Sequence, residues 1–76
     1  HNSIINDFVS ISPGTVLSGN VILKTNTFIG AGTNIVNNVT VGENSVIGAG
    51  STGLQDVQAN VVAFASPCRV MRSTDL

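Results

Sequence analysis

Charge is what this chain has least of. Three Lys or Arg and four Asp or Glu make up 9% of its 76 residues, for a formal net charge of −1. Three cations cannot neutralise a run of phosphates, so nucleic-acid binding through a basic patch is excluded. The single cysteine, Cys68, excludes an internal disulfide and a cysteine-based metal cluster, and a reducing, cytoplasmic setting is the default expectation. One histidine, His1, excludes a zinc site built on three imidazoles. Trp and Tyr are absent. No apolar run approaches the roughly 20 residues of a membrane-spanning helix, and no signal peptide is recognised. Yet 42% of the residues are hydrophobic. A chain this short with so little charge either belongs to a larger domain or buries its faces against copies of itself.

What the chain does have is a period. Ile5, Ile11, Leu17, Leu23, Ile29, Ile35, Val41 and Ile47 follow one another at six-residue intervals, and all are aliphatic. Four residues after each stands a small or β-branched residue: Val9, Thr15, Val21, Thr27, Thr33, Val39, Ser45 and Ser51. Three residues after each come Phe8, Gly14, Asn20, Asn26, Gly32, Asn38, Asn44 and Gly50. All but Phe8 tolerate a left-handed backbone. Short β-branched segments broken by a Gly or Asn turn describe a strand, a corner and another strand. Six is too long for a helical face and does not match heptads. Hexapeptide periodicity marks a parallel β-helix. Three hexads close a triangular coil, which is why "IGAG" at Ile29 returns at Ile47.

Stacking coils about 4.8 Å apart predicts the interior columns. Ile5, Leu23 and Val41 form one, Ile11, Ile29 and Ile47 a second, and Leu17 and Ile35 a third. Ser3, Val21, Val39 and Val57 continue a small-residue track along one edge, and Asn2, Asn20 and Asn38 stack at a corner, where amides hydrogen-bond along the axis. After Thr52 the pattern frays, with Gly53 and Ala59 where aliphatics belong. The expected organisation is a β-helix over residues 1–66, regular through residue 52 and loosened over 53–66. A tail over 67–76 is read as irregular or as a short helical turn. About three to four coils leave strand edges at both ends, so partners are expected.

Three stretches carry a family resemblance: "HNSIINDFVSISPGTVLSGNV" at 1–21, the two "IGAG" copies, and "PCRVMR" at 67–72. They resemble the hexapeptide-repeat acetyltransferases, in particular the sugar O- and N-acetyltransferases of bacterial glycan pathways. The resemblance implies a left-handed β-helix assembled as a homotrimer. It implies acetyl-CoA as acyl donor, no metal, and a sugar or nucleotide-sugar acceptor. In that family an α/β acceptor-binding domain precedes the helix, so the sequence reads as a C-terminal half.

The same resemblance places His1 on the general base, which takes a proton from the acceptor as it attacks the thioester. An imidazole with a reference pKa of about 6.5 suits that task. The competing reading of His1 is a terminal residue without a role. Asn2 stands where relatives carry a carboxylate beside the base, and either orients the ring or simply begins the Asn column. Ser10 stands where some relatives have a second histidine against acetyl-CoA. It retains a donor and an acceptor, or is a solvent-facing strand serine. Ala31 and Ala49 line a small-residue track beside which a pantetheine arm would lie, with backbone N–H groups able to stabilise an oxyanion. Arg69 falls near the position that meets the 3′-phosphate of CoA, or is a solvated tail charge. The expected activity is acetyl transfer from acetyl-CoA to a sugar amine or hydroxyl. The alternative is a trimerising module without turnover. An ice-binding face needs Thr-x-Thr on each coil, and only Thr25-Asn26-Thr27 provides it.

Overall fold

The structure, a computed structural model, describes residues 3–52, 55–64 and 69–74. Eight two-residue strands recur every six residues: β1 (Ile4–Ile5), β2 (Ser10–Ile11), β3 (Val16–Leu17), β4 (Ile22–Leu23), β5 (Phe28–Ile29), β6 (Asn34–Ile35), β7 (Thr40–Val41) and β8 (Val46–Ile47). Two longer strands follow, β9 (Val61–Phe64) and β10 (Arg69–Ser73). Strands three apart in β1–β8 pair in parallel, β9 pairs in parallel with β8, and together they build three sides. The first side is β1-β4-β7, the second is β2-β5-β8-β9 with β10 added at its edge, and the third is β3-β6.

Register follows the hexads. Ile5 faces Leu23 and Leu23 faces Val41; Ile11 faces Ile29 and Ile29 faces Ile47; Leu17 faces Ile35. Leu23, Ile29, Ile35, Val41 and Ile47 are completely buried. Each contributes on the order of 1.5–3 kcal/mol of apolar burial. The strands stay short because every sixth residue turns the chain through a left-handed backbone. Asn20, Asn26, Asn38, Asn44 and Asn60 hold φ between 60° and 62°, and Gly14, Gly32 and Gly50 between 71° and 76°.

The corner amides do a second job. Asn20 Nδ2 donates to Asn38 Oδ1 at 3.2 Å, as the predicted column requires, while Asn2 lies outside the described residues. A second amide ladder runs up another corner. Asn26 Nδ2 donates to Asn44 Oδ1 at 2.9 Å, and Asn44 Nδ2 to Asn60 Oδ1 at 3.0 Å. Inside, hydroxyls replace methyls where the chain bends. Thr33 Oγ1 donates to the Gly30 carbonyl at 2.8 Å and Ser51 Oγ to the Gly48 carbonyl at 2.7 Å. Their donors are satisfied within the fold, so small polar residues are tolerated at full burial.

Two expectations are corrected near the end of the chain. Val57 does not continue the track of Val21 and Val39, because it bridges Val41, sixteen residues back. Val62 and Ala63 pair with Val46 and Ile47 at the same spacing. The repeat therefore resumes after losing two residues, with Val57 and Ala63 at interior positions and Asn60 at the corner. A strict eighteen-residue interval conceals the slip, because no residue type changes across it. Residues 69–73 are not an irregular tail or helical turn. They form β10, antiparallel to β9, with Arg69 opposite Phe64 and Ser73 opposite Val61 and an irregularity between Val70 and Arg72. Val70-Met71 continues β-forming sequence, and pairing satisfies backbone groups along the β9 edge.

Candidate functional site

Four of the six candidate residues converge on the second side. Ser10 lies on β2, its first rung, exposed and opposite Phe28. Ala31 and Ala49 occupy the corner just past β5 and β8, both exposed. Arg69 opens β10 at the far edge of the same sheet. From β2 to β10 the sheet has four steps, about 19 Å at the usual strand spacing. His1 and Asn2, the two catalytic candidates, lie outside the described residues.

The alanine corner is narrow because nothing larger than Pro13 stands on it. Pro13, Ala31 and Ala49 follow at one-coil spacing, and the backbone ties them together. Gly32 N–H donates to the Pro13 carbonyl at 3.0 Å and Gly50 N–H to the Ala31 carbonyl at 2.8 Å. Each of those carbonyls keeps a second lone pair beyond its bond within the solenoid. Beside the corner the outward face of the second side is apolar. Phe28 is 45% exposed, Val46 and Val62 are half-buried, and Phe64 is 42% exposed and stands over Gly48. None of the residues of this strip is among the candidates read from the sequence. Its signal is the outward hexad position just before each interior aliphatic residue, occupied by Phe28 and Val46. The surface thus combines a small-residue edge with an apolar strip, on a sheet whose far edge strand begins at Arg69.

Comparison with known proteins agrees with this geometry. Residues 20–52 match the family described as Bacterial transferase hexapeptide (six repeats). A serine acetyltransferase from Brucella abortus strain S19 is 33% identical and superposes with a TM-score of 0.89 over 93% of this chain and 32% of its own. A serine O-acetyltransferase from Brucella melitensis is 37% identical, with a TM-score of 0.81 over 86% of this chain and 28% of its own. AntD, an N-acyltransferase from Bacillus cereus, shares the fold at 24% identity and a TM-score of 0.89, over 93% of this chain and 52% of its own. The chain spans about a third of the first two proteins. None of the curated proteins matches the sequence. The fold is the left-handed parallel β-helix of hexapeptide-repeat acyltransferases, with acetyltransferases among its structural neighbours.

Proposed function

We propose that this chain is the C-terminal β-helix of an acetyl-CoA-dependent acetyltransferase. The carrying observation is that Ser10, Ala31, Ala49 and Arg69, chosen for a cofactor from sequence, share one five-stranded sheet and its exit corner. Acetyl-CoA lies along that side, with its pantetheine arm past the alanines and its phosphate toward Arg69. The Brucella abortus serine acetyltransferase and AntD have both been crystallised with coenzyme A, which supports this reading. His1, oriented by Asn2, serves as general base. It removes a proton from the acceptor, whose oxygen or nitrogen attacks the thioester carbonyl. The carbonyl then reforms, CoA leaves as the thiolate and takes up a proton, and the acetyl group stays on the acceptor.

The chain works as a homotrimer, its apolar second side buried between neighbours. The acceptor is a sugar amine or hydroxyl, the reading favoured by the stretch at residues 1–21 and consistent with AntD's complex with dTDP-4-amino-4,6-dideoxyglucose. A serine hydroxyl is the second reading, favoured by the 33–37% identity to serine acetyltransferases.

Acetyl-CoA titration followed by thermal denaturation tests the donor site. Stabilisation of about 2–3 kcal/mol is expected at ligand a hundredfold over Kd, and loss of it in Ala49→Arg. An unchanged melting curve at millimolar acetyl-CoA sinks the proposal. Sedimentation tests the trimer, and a well-folded monomer overturns that part.

A further inference from the structure

The first side carries a concavity that the acyl-donor reading does not use. Lys24, Thr40, Gly42, Glu43, Asp56 and Gln58 line a cavity of about 390 Å³ that Val57, Ala59 and Val70 complete. Three of the chain's seven charged residues meet there, in a sequence that is only 9% charged. The hexad explains how. Lys24, Gly42 and Gln58 are the outward residues that follow Leu23, Val41 and Val57, so they form one column up the side. Gly42 is buried in the middle of that column, under the Ala59 backbone. A side chain is barred there, because a Cβ would run into the Ala59 backbone.

Thr40 and Asp56 form the parallel column, and Glu43 stands at the adjoining corner. The two-residue slip in the last coil is what brings Asp56 opposite Thr40. Its Oδ1 accepts the Thr40 N–H at 2.9 Å, which fixes the carboxylate at the rim and leaves Oδ2 uncommitted to that bond. Among the described residues Lys24 has no ion-pair partner. A cation thus stands at one end of the concavity, Asp56 at the other, and Glu43 on the edge beside Gly42.

We infer that this cavity binds a small zwitterion, its ammonium between Glu43 and Asp56 and its anionic group on Lys24. The volume suits one small molecule. A lining of one cation and two anions rejects a purely anionic ligand and gives a purely cationic one no partner for Lys24. Gln58, donor and acceptor at once, can serve either end. Apart from Val70 on β10, the cavity is lined from the first side and its corners, and it does not depend on the acyl-donor reading.

The test is amide NMR of the ¹⁵N-labelled chain titrated with 4-aminobutyrate, and separately with butyrate and butylamine. Saturable shifts at Gly42, Gln58 and Ala59 are expected with 4-aminobutyrate, and binding about tenfold weaker for either single-charge probe. Lys24→Met and Asp56→Asn should each weaken binding about fivefold or more. The asparagine keeps an oxygen acceptor for the Thr40 N–H, so Asp56→Asn should leave the melting temperature unchanged. No saturable shift with 4-aminobutyrate, equal binding of all three probes, or unaltered binding in both variants overturns the assignment. Acetyl-CoA stabilisation, measured separately, reports only on the second side.

Discussion

Ile5 and Ile11 in the first coil are 49% and 40% exposed, whereas Val57 and Ala63, in the same interior columns at the other end, are 7% and 1% exposed. The residues are no less apolar at the first coil; what differs is the cover. At the far end the chain turns back as β10, and its last residues are pinned to the corner. Ser73 Oγ donates to the Asn60 carbonyl at 3.1 Å and the Thr74 N–H to the same oxygen at 2.7 Å. Among the described residues the first coil is contacted from one direction only. In a solenoid each coil is stabilised by its neighbours, so an interior side chain with one neighbour gains roughly half of what one with two gains.

This comparison is broken most directly by paired truncations in one column. Ile29→Ala, between two coils, should cost about 3–4 kcal/mol, while Ile11→Ala should cost about 1 kcal/mol. Urea denaturation of both variants measures the difference through their midpoints. Equal losses would show that in solution the open face of the first coil is covered by something, a second copy included.

Phe8 sharpens the contrast at the corners. It holds φ 61° and is 81% exposed, where the corner above it carries Asn26, Asn44 and Asn60 in a hydrogen-bonded ladder. A bulky side chain in the left-handed region costs on the order of 1–2 kcal/mol. Asparagine tolerates the region and can extend the ladder downward. Phe8→Asn should therefore raise stability by about 1 kcal/mol, seen as a higher urea midpoint at unchanged slope. A lower midpoint would mean that the exposed ring makes a contact in solution worth more than its strain.

The unequal ends also explain what the sequence could reveal. Wherever the hexad is unbroken, position in the six marks side, column and corner: the aliphatic residue that recurs in every hexad faces inward, and the Asn or Gly three residues later takes the turn. The interior columns and the Asn20–Asn38 contact follow from counting. The last coil was illegible because a two-residue loss changes no residue type; Val57, Asn60 and Ala63 still obey the hexad, only out of phase. β10 was missed because an antiparallel return is set by pairing with β9, which leaves no period in the chain. For the site, the stacking of Ala31 and Ala49 follows from the eighteen-residue coil, whereas Ser10 and Arg69 rested on the family resemblance, and Arg69 joins the second side only through β10. The charged cavity was hidden, since Lys24 and Asp56 are thirty-two residues apart and meet only through the slip.

The smallest effect concerns one hydroxyl. Thr27 and Ser45 occupy the same inner column, one coil apart, and both are buried. Ser45 Oγ donates to the Gln58 carbonyl at 2.7 Å and accepts the Val61 N–H at 3.2 Å, partners that the shortened last coil brings within reach. Thr27 Oγ1, in the regular part, has no partner. A buried hydroxyl without a hydrogen bond is a net cost, and valine has the same shape without it. Thr27→Val should therefore stabilise the chain by about 0.5–1 kcal/mol, while Ser45→Ala should destabilise it by about 1 kcal/mol or slightly more. Opposite signs from one column, read as shifts in the urea midpoint, would tie the difference to the slip. Destabilisation by Thr27→Val would mean that a buried water satisfies that hydroxyl in solution.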